Sequence, residues 1–307
     1  ESKVLGVIHG VQPVNGAPAT YWRMKAGFQK QKWFDPTASV LGPTGAYVTA
    51  LMAFMPGALQ LLPKNNYTTN AGDSAWLSYT TSDGEKKILP QADAYAEIYS
   101  EREQFYRLIE PHWLNSSARQ SQTMEQQEVE KSDWLEYSRL LSQAENFHDT
   151  LKNYQHPNTY QFYSTDLATV DKIEFQLSKR KNFAAFDEAN KRYKKRLQQA
   201  MEQGQKGKFT AYTDASGKPI MVPEGDLDYY GQTLKNPDGV GDATVPVSSA
   251  SALNLPDNRT GGFDKSVLSE EEREHEGVYR SQKIQESVRV AIHNLSVSLF
   301  HEKAGLE

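Results

Sequence analysis

The sequence predicts an α/β fold with an inserted helical cap, on three observations. Short apolar runs of strand length alternate along the chain with amphipathic stretches of helical period. "KVLGVI", residues 3–8, is continuously apolar, as a strand buried on both faces of a parallel sheet must be. From Ala94 onward apolar residues recur at steps of three and four, the pattern of an amphipathic helical insertion.

Taken in order, the first element is the strand at residues 3–8, which needs neighbours on both sides. No signal peptide is expected before it, because "ESKVLGVIHG" has neither a basic stretch nor a small-residue cleavage site, and the chain reads as a fragment. "HGVQPVNGAP" has the Gly and Pro density of a loop at the carboxyl end of a strand, where open α/β sheets place their ligands. Residues 42–63, "GPTGAYVTALMAFMPGALQLLP", are nearly free of charge, yet Pro56 and Gly57 break them too early to span a bilayer. They read either as a buried helix and loop or as an apolar wall contacting acyl chains, with Met52, Phe54, Met55, Leu59 and Leu62 as the substrate-binding residues.

The helical insertion is predicted through Ile98, Arg102, Phe105 and Ile109, then through Trp134, Tyr137, Leu141, Ala144, Phe147 and Leu151. A strand follows over Tyr160 to Ser164, and Asp166 is expected to cap a helix after it. "FTAYTDASGKPIMV" reads as a hairpin turning at Ser216 and Gly217. Ile284, Val288, Ala291, Leu295 and Leu299 phase a terminal amphipathic helix over Val278 to Phe300.

Composition narrows the function. The absence of cysteine excludes a disulfide scaffold, a thiolate metal site and a catalytic thiol. A net charge of -5 gives no global basic field, so nucleic acid is not an expected partner. Charge is nevertheless segregated: Glu97 to Glu136 holds nine acids and four bases, and Lys179 to Lys208 ten bases and three acids. These stretches read as two solvated helical faces that attract one another, with "KRYKKR" at Lys191 to Arg196 meeting anionic headgroups as the sharper alternative. No HExxH or carboxylate–histidine cluster is present, and neither a metal nor a cofactor is expected.

The candidate chemistry lies near the carboxyl end. Asp242 sits in "GVGDATVP" after a late strand, and His275 in "REHEGVY" immediately before the terminal helix. In α/β-hydrolases the triad runs nucleophile, acid, histidine, with acid and histidine at these two places. A carboxylate on one imidazole nitrogen fixes the tautomer, so that the other can take a proton from a serine hydroxyl. His9, His112, His148, His156, His293 and His301 lack such placement. No window fits the GxSxG elbow that would expose a nucleophilic serine; "GDSAW" at Gly72 fails it, so the nucleophile is expected on a part upstream of this chain.

"VLGVIHGVQPVNGAPATYWRMKAGF", "MPGALQLLP", "GDATVPVSSA" and "EHEGVYRS" resemble the C-terminal portion of bacterial type VI secretion lipase effectors of the α/β-hydrolase superfamily, and at a distance lecithin:cholesterol acyltransferase-like enzymes. The resemblance implies that 1–24 and 155–307 form the C-terminal half of an α/β-hydrolase core, with a helical insertion at 167–205, and that 25–154 form an apolar lid region and helical cap. It implies a phospholipase secreted by a type VI system and acting as an antibacterial toxin in the periplasm of the target bacterium. The implied partners are the N-terminal part of the same enzyme with its serine, an immunity protein, a secretion spike or chaperone, and membrane phospholipid. The alternative is a non-catalytic module whose helical insertion recognises a spike, chaperone or immunity protein; a remnant of that kind has no need of both Asp242 and His275.

Overall fold

The computed structural model describes residues 4–28, 45–80, 85–114, 124–152, 154–177, 209–213, 219–223, 230–231 and 239–304. The fold is α/β. Strand β1 (Val7–Gly10) leads through the Gly- and Pro-rich loop into α1 (Pro18–Ala26), where Pro18 occupies the first turn and Gly27, at φ 81°, ends the helix by donating to Arg23 O at 2.8 Å. The charge-free stretch forms α2 (Gly45–Met52) and α3 (Pro56–Leu59), with the break at Pro56. Strands β2 (Leu77–Thr80) and β3 (Lys86–Leu89) pair antiparallel, and a π-helical turn (Tyr95–Tyr99) and a 3₁₀ turn (Pro111–Trp113) precede the long helix α4 (Met124–Leu151). Then come β4 (Thr159–Ser164), β5 (Leu167–Thr169), β6 (Ile173–Leu177), β7 (Phe209–Thr213), β8 (Pro219–Pro223), β9 (Tyr230–Gly231) and β10 (Gly239–Gly241). Helix α5 (Val247–Ala250), β11 (Thr260–Phe263), α6 (Glu270–Arg273) and α7 (Gln282–Ala304) follow.

Two sheets organise these elements. One is parallel, in the order β1-β4-β11, with β4 central; the other runs β3-β2-β6-β9 and is mixed. β5 and β10 pair antiparallel, Leu167 opposite Gly241. β7 and β8 form the expected hairpin, whose turn lies outside the described residues.

Most buried apolar residues gather away from the parallel sheet. Tyr21, Trp22 and Met24 of α1, Leu59 of α3, Trp76, the aromatic turn with Tyr95 and Tyr99, Tyr137 and Leu141 of α4, and Phe175 of β6 form one continuous core. Tyr99 is edge-on to Tyr95, with ring centroids 5.2 Å apart, and donates to Pro63 O at 2.6 Å. Lys25, at the end of α1, reaches Glu110 at 3.0 Å, and Arg107 pairs with the other oxygen of the same carboxylate, so this core holds a buried charge cluster. On α4, His148 Nδ1 accepts from the Tyr95 hydroxyl at 2.6 Å and Nε2 donates to Gln60 O at 3.0 Å. Phe147 and Leu151, expected on the apolar face of that helix, are 42% and 38% exposed.

The parallel sheet has a smaller core: Val11, Phe162, Leu268, Val278 and Ile284, flanked by Ile8, Phe263 and Val288. Ile284 and Ala291 turn α7 onto it, as the helical phase predicted. Strand β1, expected to be covered on both faces, is only half-buried, because β4 is its one strand neighbour among the described residues. Val7 and Val11 donate to Asn158 O and Phe162 O at 3.0 and 2.9 Å, so alternation turns the backbone groups of Ile8 and Gly10 to the open side. There the Tyr279 hydroxyl donates to Gly10 O at 2.7 Å.

Two segments correct the sequence expectations. After Ala94 only one π-helical turn forms, and the chain then runs irregularly to the 3₁₀ turn at Pro111. Residues 167–177, assigned to the start of a helical insertion, are β5 and β6. Ile173, Phe175 and Leu177 alternate with Glu174 and Gln176, a period-two signal that wins over any helix cap from Asp166. The remainder of that insertion, 178–205, and the basic run at Lys191 to Arg196 lie outside the described residues.

Candidate active site

The acid is built by a short ladder and a tight turn. Pairing of β5 with β10 ends at Gly241, where a β-carbon would collide with the Val245 carbonyl oxygen, so the chain can close only on glycine. Asp242 follows, 1% exposed. Its Oδ1 accepts the backbone amides of Thr244 at 2.9 Å and Val245 at 2.6 Å. Between them Ala243 is held at φ 72°, a left-handed conformation costing about 1–2 kcal/mol for a residue with a side chain. Its amide is tied to Thr169 Oγ1 at 2.9 Å, which helps offset that strain. One carboxylate oxygen is thereby saturated and the other is free to face a partner.

The partner is His275. Its Nδ1 lies 2.8 Å from Asp242 Oδ2, and its backbone amide donates to Asp242 O at 3.0 Å. The two residues are thus joined twice, through side chains and through main chain. Helix α6 opens with a capping box between Ser269 and Glu272, and the chain then reverses at Gly277, where a β-carbon would strike Glu271 O. That close return presents His275 between α6 and α7. Burial disfavours the imidazolium, but the hydrogen bond and the charge of Asp242, with a smaller contribution from Glu276, outweigh it and raise the His275 pKa above the ordinary value. An imidazole held at Nδ1 by a buried carboxylate is set to exchange a proton at Nε2.

Of the residues expected to line an acyl path, Leu59 and Leu62 are fully buried in the large core and present no surface. Met52 and Phe54 lie half-buried on its margin, and Met55 is exposed. Three further residues at the site were not singled out from sequence. Tyr279 joins the turn after His275 to the end of β1, Thr169 holds the Asp242 turn, and Arg273 pairs with Asp166. Each acts across a large separation in the chain and leaves no local pattern.

Among the described residues no group of His, Asp and Glu could hold a metal ion, and no helix is long and apolar enough to cross a membrane.

Fold and site together define an α/β protein with a carboxylate–imidazole pair whose acid follows a strand and whose imidazole follows a short helix. No family model matches the sequence, and no curated protein matches it. Among solved structures the chain is similar to one of a Tle4–Tli4 complex, with a TM-score of 0.63 and 22% identity over 96% of this chain. It spans 55% of the chain that it matches there.

Proposed function

We propose that this chain carries the acid and the base of a serine hydrolase that cleaves acyl esters of membrane phospholipid, an effector exported by a type VI secretion system and acting in the periplasm of a target bacterium. The observation that carries the reading is the 2.8 Å bond between His275 Nδ1 and an Asp242 carboxylate whose other oxygen is already satisfied. Likeness in fold to Tle4 supports the effector class, and the presence of Tli4 in that structure supports an immunity protein as partner. A secretion spike or chaperone would be met during export.

The nucleophile is a serine on a segment outside this chain. The open side of β1 suits it: a strand added parallel there would end beside Gly10, which Tyr279 links to the His275 turn. In the assembled enzyme the serine oxygen attacks the ester carbonyl while His275 Nε2 takes its proton. His275 then protonates the departing alkoxide, and water releases the acyl group by the same two steps. Asp242 holds the tautomer and stabilises the imidazolium. Met52, Phe54 and Met55 provide the apolar wall for the acyl chain, with Leu59 and Leu62 as its support from the core.

The test is acyl release from phospholipid vesicles by this chain together with the serine-bearing segment. His275→Ala is expected to lose on the order of a thousandfold or more, since members of a triad act as a unit, and Asp242→Asn to be crippled as well. Met52→Asp is expected to weaken action on long-chain lipid more than on a short soluble ester. Full activity in His275→Ala overturns the hydrolase reading, and equal losses on both esters remove the wall.

A further inference from the structure

Asp242 and His275 arrive on different segments. The acid follows β10, whose register is fixed by β5; the base follows α6. Asp166 stands immediately before β5, and Arg273 two residues before His275. Arg273 Nη1 pairs with Asp166 Oδ1, and Lys265 N donates to the other oxygen at 3.0 Å. Arg273 Nε also donates to Ser269 O at 3.3 Å, so the same side chain braces the first residue of its own helix cap. The Arg273 side chain is 10% exposed and that of Asp166 25%, so the pair is partly withdrawn from water rather than fully on the surface.

We propose that Arg273 is a positioning residue for His275: its pairing with Asp166 ties the base-bearing turn to the ladder that carries the acid, and so holds the imidazole in register with Asp242. The reasoning rests on the hydrolase reading only for the reaction it serves; the register itself is a property of this chain. The bond from His275 N to Asp242 O fixes the two main chains at one point and leaves the rotation of the base-bearing turn about it open, which a second link between α6 and the ladder restricts. Removal of Arg273 leaves α6 held by its capping box and by the His275 N to Asp242 O bond but without its link to β5, and shifts of the order of 1 Å between catalytic groups cost about a hundredfold in rate.

The experiment follows the His275 imidazole by ¹H–¹⁵N NMR titration in this chain as it stands, with His148 in the large core as an internal reporter of folding. The charged groups acting on the His275 imidazole are Asp242 and Glu276. Arg273→Met is expected to lower the His275 pKa toward the free-imidazole value and to weaken the Nδ1 proton signal, while the His148 signals stay in place. The sign discriminates, because mere loss of a nearby positive charge would raise the pKa. Asp166→Asn, which keeps an acceptor for Lys265 N, is expected to move it in the same direction by less. The exchanged pair Asp166→Arg with Arg273→Asp is expected to restore it. In the assembled enzyme Arg273→Met is expected to lower kcat roughly 10- to 100-fold with KM little changed. An unchanged or raised His275 pKa in both single variants overturns the proposal. A restored titration without any acyl release would leave it standing and sink the hydrolase reading instead.

Discussion

The two packed regions of this chain are unequal, and the Asp242–His275 pair sits beside the weaker one. Among the described residues the core formed by α1, α3, α4, β2 and β6 gathers 24 buried apolar side chains, and the core under the parallel sheet five. The large core closes on itself, with Tyr, Trp and Leu side chains meeting from every side. The small one lies under a sheet of three strands whose two outer members, β1 and β11, have no further strand beside them among the described residues, and α7 leaves Val290 and Ile292 more than half exposed. Burial supplies stability roughly in proportion to the apolar area removed from water. The larger core therefore contributes the greater share of burial, whereas β1 of the parallel sheet has an edge that no strand among the described residues covers.

The largest effect expected from this difference is on stability. Tyr99→Ala empties a fully buried aromatic site and removes the hydrogen bond to Pro63 O, and should cost about 3–5 kcal/mol in chemical denaturation. Ile284→Ala in the small core should cost about 2 kcal/mol, the low end for such a truncation, because the surroundings are partly open and can relax. Equal losses would break the comparison.

What sequence disclosed and what it hid follow the same physics. Helix α4 was plain because Trp134, Tyr137, Leu141 and Ala144 keep one phase over many turns. Asp242 and His275 were visible from order and from the turns beside them. The buried face of α2 was not, for a physical reason: a helix without charge has no polar side to set its phase, and it proves to bury Val48 and Thr49 while exposing Tyr47 and Leu51. β5 and β6 were hidden because an acid before an apolar run fits a helix cap as well as it fits a turn. The pairing of Arg273 with Asp166 joins residues 107 positions apart, a relation no local pattern encodes.

A second expectation concerns motion at the open edge. The amides of Ile8 and Gly10 should exchange with solvent far faster than those of β2, which has β3 on one side and β6 on the other. Hydrogen exchange read residue by residue tests this. Addition of the serine-bearing segment should slow Ile8 and Gly10 selectively and leave β2 unchanged. Slow exchange at both positions in the chain alone would mean that the edge is already covered.

The smallest effect, and the most pointed, is that the two regions should respond to pH with opposite sign. His148 is kept neutral in the large core: burial, then the charge of Lys64, lower its pKa below that of the unfolded chain. A lowered imidazole pKa means that its contribution is fully present above the unfolded value near ~6.5 and is lost as pH falls below it, because the unfolded chain takes up the proton first. His275 has the reverse balance. Burial lowers its pKa but the bond to Asp242 raises it further, so its contribution is present below the unfolded value and is lost as pH rises through the raised one. Acidification from about pH 7.5 to about pH 5.5 should therefore loosen the large core while tightening the Asp242–His275 pair. His9 in β1, whose pKa burial also lowers, pulls the sheet the other way, so the comparison must be made by difference. The Tm of wild type minus that of His148→Gln should shrink on acidification, and that of wild type minus His275→Gln should grow. Differences that move in the same direction would mean that Asp242 does not favour the His275 imidazolium in solution.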